Sequence, residues 1–172
     1  LKTYQGPHFY FDYEKEILPG LFNQMANVQR NPFPSRITYH KDYEFDELNG
    51  LDWLNIVVSE DKNPAEWHHQ SETKIELSDT ETQIFNYGEK TAQVEAKYSN
   101  NTFEVKTSLV DKIEISMSPL MVDLNRPVKV ILNGQLAFEQ EVDYDKAFLL
   151  EQFKTKFERK QVWINKIQIE VK

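Results

Sequence analysis

Apolar side chains recur with two different periods along the chain, and the period changes at a short proline-rich run. From Asp12 to Arg30, the residues Ile17, Leu18, Leu21, Phe22, Met25 and Val28 are spaced three or four apart. That spacing gathers them into one stripe on a helix, because a helical turn takes 3.6 residues. Asp12 is placed to cap the first turn, and Glu14 and Glu16 suit the positive end of the dipole. Pro19-Gly20 interrupts the pattern. An interior proline lacks the N–H and clashes with the preceding turn, so the helix kinks there or a fresh one begins. Asn31-Pro32-Phe33-Pro34 ends it, because residues before proline are pushed towards extended conformations. This run is the expected linker between a first unit, 1–31, and a second, 35–172.

Beyond Ser35 apolar and polar residues alternate, the pattern of strands with one face in a core. Ala92, Val94, Ala96 and Tyr98 alternate with polar neighbours, as do Phe103 with Val105, Ile113 with Ile115 and Met117, and Val128 with Val130 and Leu132. Asn133-Gly134, between Val128–Leu132 and Leu136–Val142, predicts a hairpin, since a type I′ turn needs positive φ at both central residues. Asn100-Asn101 is a weaker signal of the same kind. Further strands are expected at 36–43, 53–58, 74–77, 82–86 and 162–171. The last should carry a bulge, because a three-residue step separates Ile164 from Ile167 in a period-two pattern. Within 145–157, Phe148, Leu149, Phe153 and Phe157 return to helical spacing, with Asp143 or Asp145 as cap. This second helix is expected to plug one end of the sheets. Many short strands with few helices predict a mainly β chain: an antiparallel β-sandwich-like domain with an N-terminal helix and one late helix.

Composition narrows the partners. A chain of 172 residues is long enough for one well-buried core. The net charge of -8 opposes phosphate backbones and anionic bilayers, so neither nucleic acid nor a membrane is an expected partner. No apolar run approaches the ~20 residues of a spanning helix. The chain opens on Leu1 without a basic-then-apolar leader, which reads as a piece of a longer polypeptide. With no cysteine there is neither a disulfide framework nor a thiol nucleophile.

The chemistry on offer is thin. Phosphate-binding glycine loops, the HExxH pair and the Gly-x-Ser-x-Gly elbow are all missing from the sequence. The four histidines are His8, His40, His68 and His69. Joint metal binding by His68 and His69 would need a loop and a third ligand such as Glu66 or Glu72; a solvated loop is the plainer expectation, and no metal or other cofactor is expected. His40 lies in a strand pattern, where cross-strand hydrogen bonding is the expected role. The acidic run Tyr43-Glu44-Phe45-Asp46-Glu47 reads as the solvated tip of a hairpin returning at Leu51–Val58. Trp53, Trp67 and Trp163, with eight tyrosines, suit either a core or a sugar-stacking platform, and on sandwich strands their large apolar area favours the core. By itself the chain is therefore expected not to be an enzyme.

Several stretches resemble one family. Gly6-Pro7-His8, the helix through Arg30 and then Arg30-Asn31-Pro32-Phe33-Pro34 are similar to the end of a bacterial α/β-hydrolase of Bacteroidetes type, prolyl-oligopeptidase-like or polyhydroxybutyrate-depolymerase-like. Leu51-Asp52-Trp53-Leu54-Asn55-Ile56 and Ser118 to Val130, followed by Asn133-Gly134, resemble the β-rich domain that closes such proteins. The resemblance implies that 1–31 is the terminal loop and helix of a hydrolase domain, and that 35–172 is a non-catalytic accessory domain stabilising or orienting it. It also implies secretion or a periplasmic location. His8 then aligns with the general-base histidine of the hydrolase; read from the residues alone, it is equally an exposed residue of a frayed terminus. The implied partner is the preceding hydrolase domain, and the apolar stripe of the first helix could also pair with its copy in a homodimer. The alternative is a carbohydrate- or protein-binding β-sandwich module attached to another enzyme.

Overall fold

In the computed structural model the described residues are 18–28, 31–41, 49–78, 81–87, 91–156 and 160–172. They fall in two units, Leu1–Asn31 and Pro32–Lys172. In the first, helix α1 spans Leu18–Asn27. Pro19 therefore lies in a first turn, where its missing N–H costs no helical bond, and the proline marks a helix start rather than a kink. The other end stops short of Arg30. The Asn27 side-chain amide donates to the Asn23 carbonyl at 2.9 Å, and the Val28 N–H reaches the Met25 carbonyl at 3.2 Å in a tightened last turn. Leu21, Phe22, Met25 and Val28 are exposed. The expected cap Asp12, with Glu14, Glu16 and Ile17, lies outside the described residues.

The second unit is mainly β and sandwich-like. One sheet runs, in spatial order, β1 (Arg36–Lys41), β6 (Ala92–Ser99), β7 (Thr102–Ser108), β9 (Val128–Leu132) and β10 (Gln135–Gln140). The other runs β11 (Asn165–Glu170), β8 (Val110–Met117), β3 (Leu54–Val58) and β2 (Gly50–Leu51), while β4 (Ser71–Ser78) and β5 (Glu81–Tyr87) form a separate hairpin. Neighbours pair antiparallel, except that β7 and β9 run parallel. The alternating residues Val94, Ala96, Phe103, Val105, Val128 and Val130 of the first sheet join Leu54, Ile56, Ile113, Ile115 and Met117 of the second in one core. Trp53, between β2 and β3, is fully buried and meets Phe103 and Tyr98 edge-on at 5.3 and 5.8 Å. Among the described residues no helix is long and apolar enough to cross a membrane.

Two asparagine turns fix the register of the first sheet. Asn133 and Gly134 have φ of 50° and 81°, and Asn100 and Asn101 have 50° and 59°, the left-handed pairs a tight hairpin requires. Each turn also reaches outward. Asn133 Oδ1 accepts the Thr107 N–H at 2.9 Å, which ties the β9–β10 turn to β7. Asn101 is buried; its Nδ2 donates to the Asp123 carbonyl at 2.7 Å and its Oδ1 accepts the Asp123 N–H at 2.8 Å. The loop 118–127 is thereby fastened to the β6–β7 turn. Leu109, at φ 57°, marks the corner where the chain leaves the first sheet for the second, a backbone state that costs a branched residue energy and is held by its surroundings.

Two expectations are corrected. The strands flanking the acidic run do not form a hairpin, because β1 pairs with β6 and β3 pairs with β8; the run itself lies outside the described residues. The three-residue step at Ile164–Ile167 is not a bulge. β11 pairs with β8 in unbroken register from Asn165, and Ile164 sits just before it, donating its N–H to the Met117 carbonyl at 2.8 Å. The late helix, α2 (Lys146–Lys156), starts at Asp145, whose Oδ1 accepts the Ala147 and Phe148 N–H groups at 3.0 Å each. Its Phe148 is buried in the core, whereas Leu150 and Phe153 are exposed.

Candidate functional site

Two connections tie the chain to the sandwich in different ways. The first is the lead-in, residues 32–35, where the second unit begins. A polypeptide rich in proline cannot donate regular ladder bonds, yet its carbonyls remain strong acceptors, and here successive carbonyls are captured. Gln161 Nε2 donates to the Pro32 carbonyl at 2.8 Å, the Tyr98 hydroxyl to that of Phe33 at 3.1 Å, and Trp53 Nε1 to that of Pro34 at 2.7 Å. The Tyr98 N–H donates to the Ser35 carbonyl at 2.9 Å. The Phe33 ring is buried and meets Trp163 edge-on at 5.5 Å. Burial raises the Tyr98 pKa, so the phenol remains a donor well above neutral pH.

The second connection is a strap, residues 59–70, which leaves β3 in one sheet and crosses the outer face of the other. Lys62 Nζ donates to the Val171 carbonyl at 2.6 Å and to that of Val110 at 2.9 Å, with Asp111 Oδ1 3.2 Å away. Hydrogen bonds from Ser59 and then Lys62 hold the Asp111 carboxyl below its ordinary pKa. Further along, Ser108 Oγ accepts the Ala65 N–H at 3.0 Å. Gln93, fully buried on β6 although its side chain leaves the core face, clasps the backbone of His69: Oε1 accepts its N–H at 2.8 Å and Nε2 donates to its carbonyl at 2.6 Å.

That clasp fixes the state of His68. Only one orientation of the Gln93 amide satisfies both His69 groups, so the nitrogen that meets His68 Nε2 at 3.3 Å is a donor and Nε2 accepts. The ring proton then sits on Nδ1 and is donated to Ser108 Oγ at 2.8 Å. A serine and a histidine at this distance have the spacing of a nucleophile and its base. Here, however, the serine is buried, already accepts a strap amide, and receives the histidine's proton rather than giving one up. The pair acts as a bracket. His69 is exposed, its Nε2 3.7 Å from Glu95 Oε1, and the half-buried Trp67 lies edge-on to it at 6.2 Å. His40 stands opposite Gln93 across β1 and β6.

The chain returns no match to any family model, curated protein or solved structure. Its site must be read from its own geometry.

The structure gathers His40, His68 and His69 around Gln93, which the sequence pattern did not foresee, and His68 is a wired member of the strap rather than a solvated loop residue. His8 lies outside the described residues, as does the side chain of Glu72. Among the described residues no three His, Asp or Glu converge so as to hold a metal ion. Trp53 and Trp163 are buried, which places them in the core rather than on a platform. A concavity of about 640 Å³ lies over the outer face of the second sheet beside Lys112, Glu114 and Gln168. Burial there pushes the Glu114 pKa up, but hydrogen bonds from Lys166, Gln168 and Asn55 outweigh it and hold the carboxyl below its ordinary value. Gln93, Ser108 and Gln161 were invisible in the sequence as site residues, because an isolated polar residue in an alternating strand or loop reads as solvent-facing, and Tyr98 read only as one of the alternating apolar positions of its strand.

Proposed function

We propose that the chain is a non-catalytic accessory β-sandwich which, in a secreted or periplasmic α/β-hydrolase of the serine esterase or peptidase kind, stabilises and orients the hydrolase domain that precedes it. The observation that supports this reading is the lead-in. A tether that only keeps two domains in one polypeptide needs no fixed bonds. Here four successive carbonyls, from Pro32 to Ser35, accept hydrogen bonds from the sandwich, and Phe33 is buried between them. Such a segment holds the start of the sandwich at a fixed place on its own surface, which is what an orienting domain requires. In this reading His8 belongs to the hydrolase as its general base.

The test has two arms. The open reading frame upstream of Leu1 should encode a strand–helix unit bearing Gly-x-Ser-x-Gly; a signal peptide directly before Leu1 would overturn the proposal. Residues 1–172 alone should not turn over p-nitrophenyl acetate above a denatured-protein control, and turnover that disappears in His8→Ala would also overturn it.

A further inference from the structure

We infer that residues 59–70 are a pH-sensitive strap, clasped to the outer face of the five-stranded sheet while His68 is neutral and loosened when the histidines around Gln93 take up protons. The inference rests on hydrogen-bond polarity. Gln93 cannot turn its amide over without breaking both bonds to His69, so its nitrogen always presents a donor to His68 Nε2. A proton on Nε2 would set donor against donor, and the ring would have to leave the bracket between Gln93 and Ser108. The strap backbone then loses its neighbours as well, since Ala65 and His69 are held by the same two side chains.

The surroundings sharpen the response. His40 faces the cluster from β1, Glu95 from β6 and His69 from the strap itself, while Gln93 and Ser108 are uncharged. Protonated His69 gains attraction to Glu95 at 3.7 Å. Protonated His40 and His68 instead repel it and each other. Desolvation first, then the imidazoles of His69 and His68, lower the His40 pKa, with Glu95 pulling the other way. Histidine is the side chain whose charge changes in mildly acidic conditions, so the strap would answer to the pH difference between neutral and acidified surroundings. The Lys62 end is fastened to Val110 and Val171 without an imidazole, so the strap loosens at its histidine end alone.

Hydrogen exchange and nitrogen chemical shifts of the 172-residue chain test this. At about pH 7.5, long-range proton–nitrogen correlation should find His68 as the Nδ1–H tautomer. Between about pH 7.5 and about pH 5.5, and after correction for intrinsic rates, protection of the Ala65 and His69 amides should fall roughly tenfold while that of Val94 and Val105 holds. Glu95→Gln, which removes a compensating charge at the surface, should move the midpoint of this loss to higher pH. His68→Phe should leave the strap equally loose at both pH values. An Nε2–H tautomer, protection of Ala65 and His69 that does not change with pH, a Glu95→Gln midpoint that stays put or falls, or a pH-dependent loss that persists in His68→Phe would each overturn the inference.

Discussion

The lead-in and the strap are both irregular segments fastened to the same sandwich by side chains, yet their fastenings differ in kind. The lead-in offers carbonyl oxygens to Gln161, Tyr98 and Trp53, none of which changes charge near neutral pH, and adds a buried phenyl ring. Apolar burial and neutral donors together make a joint indifferent to its surroundings. The strap depends at one end on an imidazole that must accept at one nitrogen and donate at the other, which only the neutral ring can do. The same sandwich thus carries one permanent joint and one conditional joint, and the difference lies in which side chains answer the backbone.

The largest test of this contrast is Phe33→Ala. Removing a buried aromatic ring from a packed edge contact costs about 3 kcal/mol, and the loss should be the same at about pH 7.5 and about pH 5.5, because the Trp163 ring it meets does not titrate. Urea midpoints at the two pH values measure it. A cost well under about 1 kcal/mol would mean that the lead-in is an ordinary linker. Gln93→Leu should cost less, about 1–2 kcal/mol. It leaves the His69 N–H and carbonyl without partners, but a released strap can give both to water. If Gln93→Leu destabilised as much as Phe33→Ala, the strap would be as integral to the fold as the lead-in and the comparison would collapse.

What was legible in the sequence divides along the same line. Alternation at Val94, Ala96, Phe103, Val105, Val128 and Val130 named the core face of the first sheet, because burial enforces a period of two. Asn133-Gly134 named its turn, since few residues accept positive φ there. Asp145 was one of two candidate caps, and the structure selects it. Long-range partners were not legible. Tyr43 to Glu47 suggested a local hairpin, but β1 and β3 found mates in different sheets, a choice made by packing across the whole domain. Gln93 looked like a solvent-facing residue between Ala92 and Val94 until the strap covered it, and nothing local announces that a loop more than twenty positions away will lie across a strand. The run Asn31–Pro34 read as a linker because prolines break regular structure; that they leave a row of carbonyls for other side chains to capture is visible only in three dimensions.

The smallest expected effect concerns how the whole domain answers pH. His40 has a pKa lowered from the ordinary histidine value, by desolvation first and by the imidazoles of His69 and His68 next. Its sign in the stability is fixed by linkage. Above about pH 7.5 the ring is neutral in the folded and unfolded chains alike and contributes nothing. As pH falls through the unfolded value of about 6.5, the unfolded chain takes up the proton first, so stability declines, and the decline stops once the pH has passed below the lowered folded value. The carboxyls of Asp111, Glu114 and Asp123, all lowered in the fold, act in a separate window. Their stabilisation is full above the unfolded values near 4 and is lost as the pH drops through the lower folded ones. His40→Gln should therefore match wild type in urea midpoint at about pH 8 and exceed it slightly at about pH 5.5, because an uncharged side chain escapes the penalty while the carboxyl window remains untouched. Parallel midpoint curves for the two proteins from about pH 8 to about pH 5 would show that His40 titrates alike in both states, and that the histidine end of the strap meets no electrostatic resistance from β1.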